Sequence, residues 1–505
     1  MRKGSIGERV LKAVVILTLF AMLISVFAAC NEKKNPEETT PATEADSGTQ
    51  ADPVNLKDLD FKGATVNILL RSGEQYRREW SMDYNTDSLS QEIFYRNSAV
   101  ENELGVHFNF IVRNEGDNCT EFSQAIVNSA MGGLGEYDVV NHYAAYATTP
   151  DLMQFYKDFN STDLGYLDLK QPYWNQHFRE AAESFGHLFV MVGDVNLSVY
   201  DRSIVTFFNK ALLEQYHIDP DQLYQDVLDG NWTYEKLYNY VKDVYKDNDE
   251  SGTKNQPDFF GLTTIAGSED TDGFLYSFGG KLTENNSDGT HTLISGNMLE
   301  KLDSAMGKVQ TLYESAGAYR TYGDPNGTWN NALIFSSSRA LFDIDVIYHY
   351  SAQNQLLRNM KDKYGMIFVP KYDEEQTAYY TGVQDAHNVM AIIQHSKQDY
   401  TMISAVLERI CQLSYSDIRP YYFEKIVKMK YLQDSISGKI FDMILESTTW
   451  DYADIYCGSV THVRNRLWRG VIQNKSTVAV AYEQNSEEIL RKYEQLDAWF
   501  QRQVG

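Results

Sequence analysis

The chain runs to 505 residues, with 43% hydrophobic residues and a formal charge of −25 from 70 acidic against 45 basic side chains. That length exceeds what one hydrophobic core usually serves, so at least two lobes are expected. So acidic a balance disfavours nucleic-acid binding, which needs a basic footprint, and is read as a solvated surface.

Arg2, Lys3, Arg9 and Lys12 precede an apolar run from Ala13 to Ala29 that closes on Phe27-Ala28-Ala29-Cys30. Basic region, apolar region and small-residue cleavage site are the layout of a secretory signal over residues 1–29. A Cys after two small residues resembles the bacterial lipobox, which implies that Cys30 is lipidated and becomes the mature N-terminus. Phe27 departs from the Leu or Val usual there. A run of about 17 apolar residues also reaches the lower edge of a membrane span, so an uncleaved anchor is the alternative. Either leaves the remainder facing outward, on the extracellular side of the cell membrane. Residues 30–55 hold NEKKNPEETTPATEADSGTQAD, rich in Glu, Thr, Pro and Ala. Such a segment cannot bury enough surface to fold and reads as a flexible tether. A diacylglyceryl group brings two acyl chains, which suffices for stable anchoring. Cys119, Cys411 and Cys457 show no CxxC spacing and imply no disulfide framework.

Beyond the tether, Ala64 to Leu70 is expected as a strand, and Ser88 to Leu104 as a helix with Ile93, Val100 and Leu104 on one face and Gly105 as its stop. Val106 to Val112 follows as strand, Glu121 to Met131 as helix and Tyr137 to Val140 as strand. This alternation suits a parallel sheet, whose ligands sit beyond the carboxyl ends of the strands. Arg71 to Tyr76, with Glu74, and Asn141 to Tyr146, with Tyr143, are thereby placed on a binding rim. Strands are then expected at Gly186 to Val192 and Ile204 to Phe208. A helix from Asn209 to His217 is ended by Pro220, and another, capped by Asn231-Trp232-Thr233, runs to about Asp247. Ala340 to Ile344, Tyr364 to Val369 and Asn388 to Ile393 are further strands, and the chain is mostly helical after Ser396.

Six segments in order carry a family resemblance: GHLFVMVGDVN, TFFNKALLEQYHID, NWTYEKLYNYVKDV, FSSSRALFDID, YGMIFVPKYD and TGVQDAHNVMAI. Together they resemble the extracellular solute-binding proteins of ABC importers, family 1, over roughly residues 60 to 415. Phe207-Phe208 departs from the usual Tyr, and Ser338-Arg339 stands where Gly-Lys is common. The resemblance implies an α/β, two-lobe periplasmic-binding-protein-like fold of type II with an inter-lobe ligand cleft and a helical C-terminal region. It assigns residues 56–192 plus 343–383 to an N-terminal lobe and 193–342 plus 384–505 to a C-terminal lobe. It implies a small polar solute, foremost a sugar or oligosaccharide, and membrane permease subunits as partners. By the same analogy the chain crosses between lobes near residues 191–196, 343–348 and 381–388.

Polar and aromatic residues on those crossings are the binding candidates: Asp194, Asn196 and Arg202; Asp343, Asp345 and Tyr348; Gln384, Asp385 and His387. Glu74, Asn141 and Tyr143 join them from the rim. Planar polar side chains satisfy adjacent hydroxyls, and aromatic rings cover the apolar faces of a sugar. Ion pairs, turns and helix caps use the same residues. Trp329 and Trp450 stand in polar loops and suit stacking on ligand, packing being the alternative, while Trp232 is assigned to structure.

DNDESGTKNQPD, residues 247–258, places Asp247, Asp249, Ser251 and Asp258 at loop positions one, three, five and twelve, with Gly252 at six and Thr253 at seven. That is the order of a calcium loop, with Asp258 where a longer Glu would chelate better. A solvated acidic turn is the alternative. Enzyme signatures are absent: no HExxH, GxSxG, GK[ST] or GxGxxG occurs, and the ten His are scattered. A surface glycoside hydrolase stays the rival from another class, since 70 acidic residues make chance carboxylate pairs inevitable. A sensing or adhesive lipoprotein without a transporter is the third reading.

Overall fold

A computed structural model describes residues 54–80, 88–267, 269–321, 330–350, 356–357, 360–423 and 435–503. Cys30, the signal, nearly all of the tether and Trp329 lie outside them. The Ala64–Arg71 strand is buried over most of its length and pairs in parallel with Val106–Arg113 on one side and Val139–Tyr143 on the other. Between the first two runs the Ser88–Leu104 helix, which buries Ile93, Val100 and Leu104 against the sheet. Full burial of each such side chain is worth about 1.5–3 kcal/mol. The helix stops at Gly105, whose φ of +62° lies in the left-handed region that favours glycine. Asn388–Ile393 adds antiparallel to Val139–Tyr143, and Tyr156–Lys157 closes that edge.

A second sheet has the order Ala318–Thr321, Phe259–Ile265, Ala340–Val346, Ile204–Asn209, Tyr364–Ile367. Its first three strands are parallel and its last two antiparallel to their neighbours. Each sheet is the floor of one lobe.

Sheet membership corrects the expected lobe boundaries. Ala340–Val346 and Tyr364–Ile367 both lie in the second sheet, so 343–383 does not return to the first lobe, and Asn388–Ile393 belongs to the first sheet, not to a C-terminal lobe. No crossing occurs at 343–348, where the strand passes straight into the Ile347–Tyr350 helix. The ALFDIDV run is buried on both faces between two strands, and an apolar run of that kind does not encode which sheet it joins.

The crossings that the structure does show pair with each other. Ser203 and Val383 form an antiparallel bridge, and Thr381–Gly382 pairs in parallel with Thr448–Thr449. Three segments thus run side by side between the lobes. The C-terminal region is bonded to both: Tyr456 Oη donates to Ala182 O at 2.5 Å in the first lobe, and Trp468 Nε1 to Thr271 O at 2.9 Å in the second.

Three local readings differ. Residues 186–192 form isolated bridges, Ser184 to His187 and Met191 to Met390, in place of a strand. Pro220 opens the Pro220–Leu228 helix because Asp219 caps it, accepting from the N–H of Asp221 and Gln222. The Tyr234–Val241 helix stops earlier than expected, before the Tyr245–Lys246 edge strand. Cys119, Cys411 and Cys457 are buried free thiols. Among the described residues no helix is long and apolar enough to cross a membrane.

Candidate functional site

Because Ala64–Arg71 and Val139–Tyr143 are parallel, their last residues meet at one edge of the first sheet. There the Arg71 guanidinium lies between two rings, 3.6 Å from the centroid of Tyr76 and 4.2 Å from that of Tyr143. Arg202, on the first crossing, lies 5.6 Å from the Tyr76 centroid and 4.7 Å from that of Tyr348 in the second lobe. The five side chains form a ladder, Tyr143–Arg71–Tyr76–Arg202–Tyr348, that spans from one lobe to the other. Each cation–ring contact contributes about 0.5–2 kcal/mol depending on its desolvation.

Hydrogen bonds fix the rungs. Arg71 donates through Nε and Nη2 to Glu115 Oε2, at 3.0 and 2.7 Å, and through Nη1 to Asn388 Oδ1 at 2.9 Å. Arg202 donates from Nη2 to Tyr76 Oη and from Nη1 to Gln384 Oε1, both at 3.0 Å. Gln384 Nε2 in turn donates to Glu269 Oε1 at 2.6 Å.

Beside the ladder, the second crossing meets the C-terminal region in a charged cluster. Arg464 reaches Asp385 at 2.9 Å, Asp454 at 3.3 Å and Asp272 at 3.5 Å, while Arg469 reaches Asp385 at 3.2 Å and also bonds Asp272. The turn Asn465–Arg469 is a π-helix, a widened turn frequent at functional sites, and it lets two arginines five residues apart share the same acids. Burial alone would raise the Asp385 carboxyl, but Arg469 and Arg464 more than reverse this and hold it at about 2. A cavity of about 240 Å³ opens here, lined by Tyr143, Tyr146, Asp385, His462, Arg464 and Arg469 among others. A second, of about 300 Å³, is lined by His177, Glu180, Tyr276, Lys281, Tyr380 and Trp450 among others. Both are lined by the mix of charged, polar and aromatic side chains that a small polar solute can bond and stack against.

The candidates from the sequence divide between these places. Tyr143, Arg202, Tyr348 and Gln384 are in or on the ladder, Asp385 lines the first cavity and Trp450 the second. Burial lowers the His387 imidazole to about 4, and its Nε2 accepts from Trp450 Nε1 at 3.3 Å. Asn141 and Asn196 are fully buried, and both direct their amides to Glu79, at 2.8 and 3.4 Å. Asp194 accepts from Tyr200 Oη at 2.7 Å, and burial raises it to about 6 despite Arg419. Glu74 is exposed at the start of the short Glu74–Arg77 helix. Asp343 and Asp345 are enclosed in the second lobe, where Asn331 Nδ2 donates to both. Burial and the neighbouring Asp345 push Asp343 well above the usual carboxylate range. Arg464, Arg469, Asp272 and Glu269 were not anticipated. The three arginines of VRNRLWRG, in so acidic a chain, were the available signal.

Two groups of side chains have the donors for a metal ion. In the acidic loop, Asp247, Asp249 and Asp258 bring carboxylate oxygens within 4.8 Å of one another. Asp247 Oδ2 accepts the N–H of Gly252 at 2.8 Å, and Gly252 has the positive φ, +73°, that a tight loop turn requires. Asp258 is occupied in closing the loop, accepting from the N–H groups of Asn248 and Asn255 at 3.0 Å, and Thr253 O accepts from Ser251 Oγ at 3.0 Å. The donor types fit calcium, with Asp258 committed elsewhere. Glu269, Asp345 and His349 converge equally closely but are buried, with His349 Nδ1 already on Asp345 Oδ1 at 2.7 Å.

No protein-family model and no curated relative matches the chain. Solved structures do. A cyclo/maltodextrin-binding protein complexed with maltotetraose superposes with a TM-score of 0.53 at 12% identity, over 86% of this chain and 97% of that one. An ABC transporter solute-binding protein from Thermotoga lettingae bound with α-D-tagatose gives 0.53 at 13% identity, over 85% and 100%. UgpB from Mycobacterium tuberculosis in complex with glycerophosphocholine gives 0.52 at 13% identity, over 88% and 100%. Two sheets, paired crossings and full coverage of these structures agree: the chain has the two-lobe fold of the solute-binding proteins of ABC importers.

Proposed function

We propose that this chain captures a small polar solute between its lobes and delivers it to an ABC permease, without chemistry of its own. The observation that carries the reading is the ladder Tyr143–Arg71–Tyr76–Arg202–Tyr348, in which rings and donors from both lobes and a crossing converge on one inter-lobe face. Structures of the same fold hold maltotetraose, α-D-tagatose and glycerophosphocholine, all polar solutes that such side chains recognise. Ligand contacts made only when the lobes are together shift the protein towards that state, because equal affinity for both states shifts nothing.

The signal over residues 1–29 and Cys30 support an extracellular lipoprotein, tethered where a permease is within reach. Loop 247–258 is proposed to take a structural calcium ion through Asp247 and Asp249, with Asp258 closing the loop beside them. Titration calorimetry against a panel of sugars, peptides and glycerophosphodiesters, with small-angle scattering on the same samples, tests the whole. One solute is expected to bind, with a smaller radius of gyration in its presence. A panel without any binder, and without lobe closure, sinks the reading.

A further inference from the structure

Buried arginines along the cleft are matched to acids: Arg71 to Glu115, Arg78 to Asp201, Arg464 and Arg469 to Asp272 and Asp385. Arg202 is not. It is 7% exposed, and its guanidinium donates to two neutral acceptors, Gln384 Oε1 and Tyr76 Oη. Among the described residues no carboxylate lies within ion-pair distance of it. The acid nearest along its bonds, Glu269, is reached through the Gln384 side chain. Arg96 is also buried without an acid, but its N–H groups are taken up by Asn97, Ser414 and the Glu79 carbonyl between two packed helices.

Leaving a buried guanidinium without a counter-charge is costly, and it is against the odds in a chain with 70 acidic and 45 basic residues. Two of the five N–H donors of Arg202 are used, and the rings of Tyr76 and Tyr348 lie beside it. What remains is the in-plane edge, which matches a planar carboxylate with two parallel hydrogen bonds. Of the two guanidinium groups in the ladder, that of Arg71 is paired to a carboxylate, Glu115, and that of Arg202 is not.

Resting on the solute-capture reading, we propose that the solute carries a carboxylate and that Arg202 is the group that receives it. The ligand class is then an acidic solute, a sugar acid or a short peptide, in place of a neutral sugar. Neutral sugars have no charge to set against Arg202 and would leave its desolvation uncompensated.

Calorimetry on the full mature chain tests this with digalacturonate, its neutral counterpart galactobiose, and a dipeptide, at low and high salt. We expect one of the two carboxylate solutes to bind on the order of 100-fold more tightly than galactobiose, and to weaken as salt rises. Which one binds identifies the source of the carboxylate. Arg202→Met should abolish the preference and Arg202→Lys should keep part of it, the circular dichroism spectrum and melting of each being measured alongside. Galactobiose binding as well as or better than both acids overturns the inference while sparing the capture reading. So does an acid that binds folded Arg202→Met unchanged. Absence of binding by all three overturns the inference for these classes, and the wider panel then decides whether capture falls with it.

Discussion

Arg202 and Gln384 clasp each other twice: the Gln384 N–H donates to the Arg202 carbonyl at 2.9 Å, and Arg202 Nη1 donates to the Gln384 Oε1 at 3.0 Å. The two residues belong to opposite crossings, so the same pair that joins the connecting strands also orients the guanidinium. Gln384→Ala keeps the backbone bond and removes the side-chain one, together with the link to Glu269. Solute affinity should fall about tenfold, with stability reduced by about 1 kcal/mol, since a single hydrogen bond is worth about 0.5–1.5 kcal/mol net. Calorimetry and urea melts on one preparation separate the two effects. A loss of stability with affinity intact would assign the clasp to the scaffold alone.

Burial raises the Glu408 carboxyl from the usual 4.5 to about 7, although Tyr173 and Trp174 both donate to it. A raised carboxyl holds in the folded state a proton that the unfolded chain releases. Its contribution is therefore present below pH 4.5 and is lost as pH rises through 7, on the order of 1–3 kcal/mol. Asp385, held at about 2 against the usual 3.8, acts in the opposite sense: its contribution is present above 3.8 and lost as pH falls through 2. Urea unfolding across pH 4–8 should show a declining limb that Glu408→Gln flattens and Asp385→Asn leaves in place. A limb identical in wild type and Glu408→Gln would remove Glu408 as its source.

Much of this architecture was legible because apolar runs and turn residues are local signals. Ser88–Leu104 and Asn388–Ile393 have the same bounds in sequence and structure. Membership of a sheet is not local, which is why the expected lobe boundary at 342/343 cuts through the Ala340–Val346 strand and puts its second half in the wrong lobe. At the cleft, Arg71, Tyr143 and Arg202 could be read because they follow strands or lie on a crossing. Asn141 and Asn196 show the limit of residue type as a guide, since the amide that would suit a ligand hydroxyl equally suits the buried Glu79 carboxylate. Arg464 and Arg469 reach Asp385 from a helical region whose one signal is its cluster of arginines, and chain distance hides where that cluster lands.

Calcium should stabilise the protein if loop 247–258 binds it. Binding to the native state alone adds about 2.7 kcal/mol at a hundredfold excess over Kd, a shift of a few degrees in Tm at this size. Chelator should reverse the shift, and Asp249→Asn should remove it, because Asp249 is one of the three converging carboxylates. Melting curves with calcium, magnesium and chelator make the comparison. A Tm indifferent to calcium in the wild type would leave the loop as a hydrogen-bonded acidic turn.

The pair His387 and Trp450 offers a test of what holds Trp450, in the wall of the second cavity, in place. His387 is lowered to about 4 by burial, so it is neutral at pH 7. Its Nδ1 lies 2.9 Å from the Gln384 carbonyl and its Nε2 3.3 Å from Trp450 Nε1, which fixes the proton on Nδ1 and leaves Nε2 as the acceptor. Trp450 also packs edge-on to Phe178, at 5.3 Å between centroids. Trp450→Phe retains the aromatic contact but strands the His387 Nε2 lone pair, which should cost about 1–3 kcal/mol. Trp450→Ala adds a cavity and should cost about 3–5 kcal/mol. If the bond to His387 matters, Trp450→Phe must recover stability when combined with His387→Phe, which removes the stranded acceptor. Equal losses in the single and double variants would show that packing on Phe178, and not the hydrogen bond, is what holds Trp450 in place.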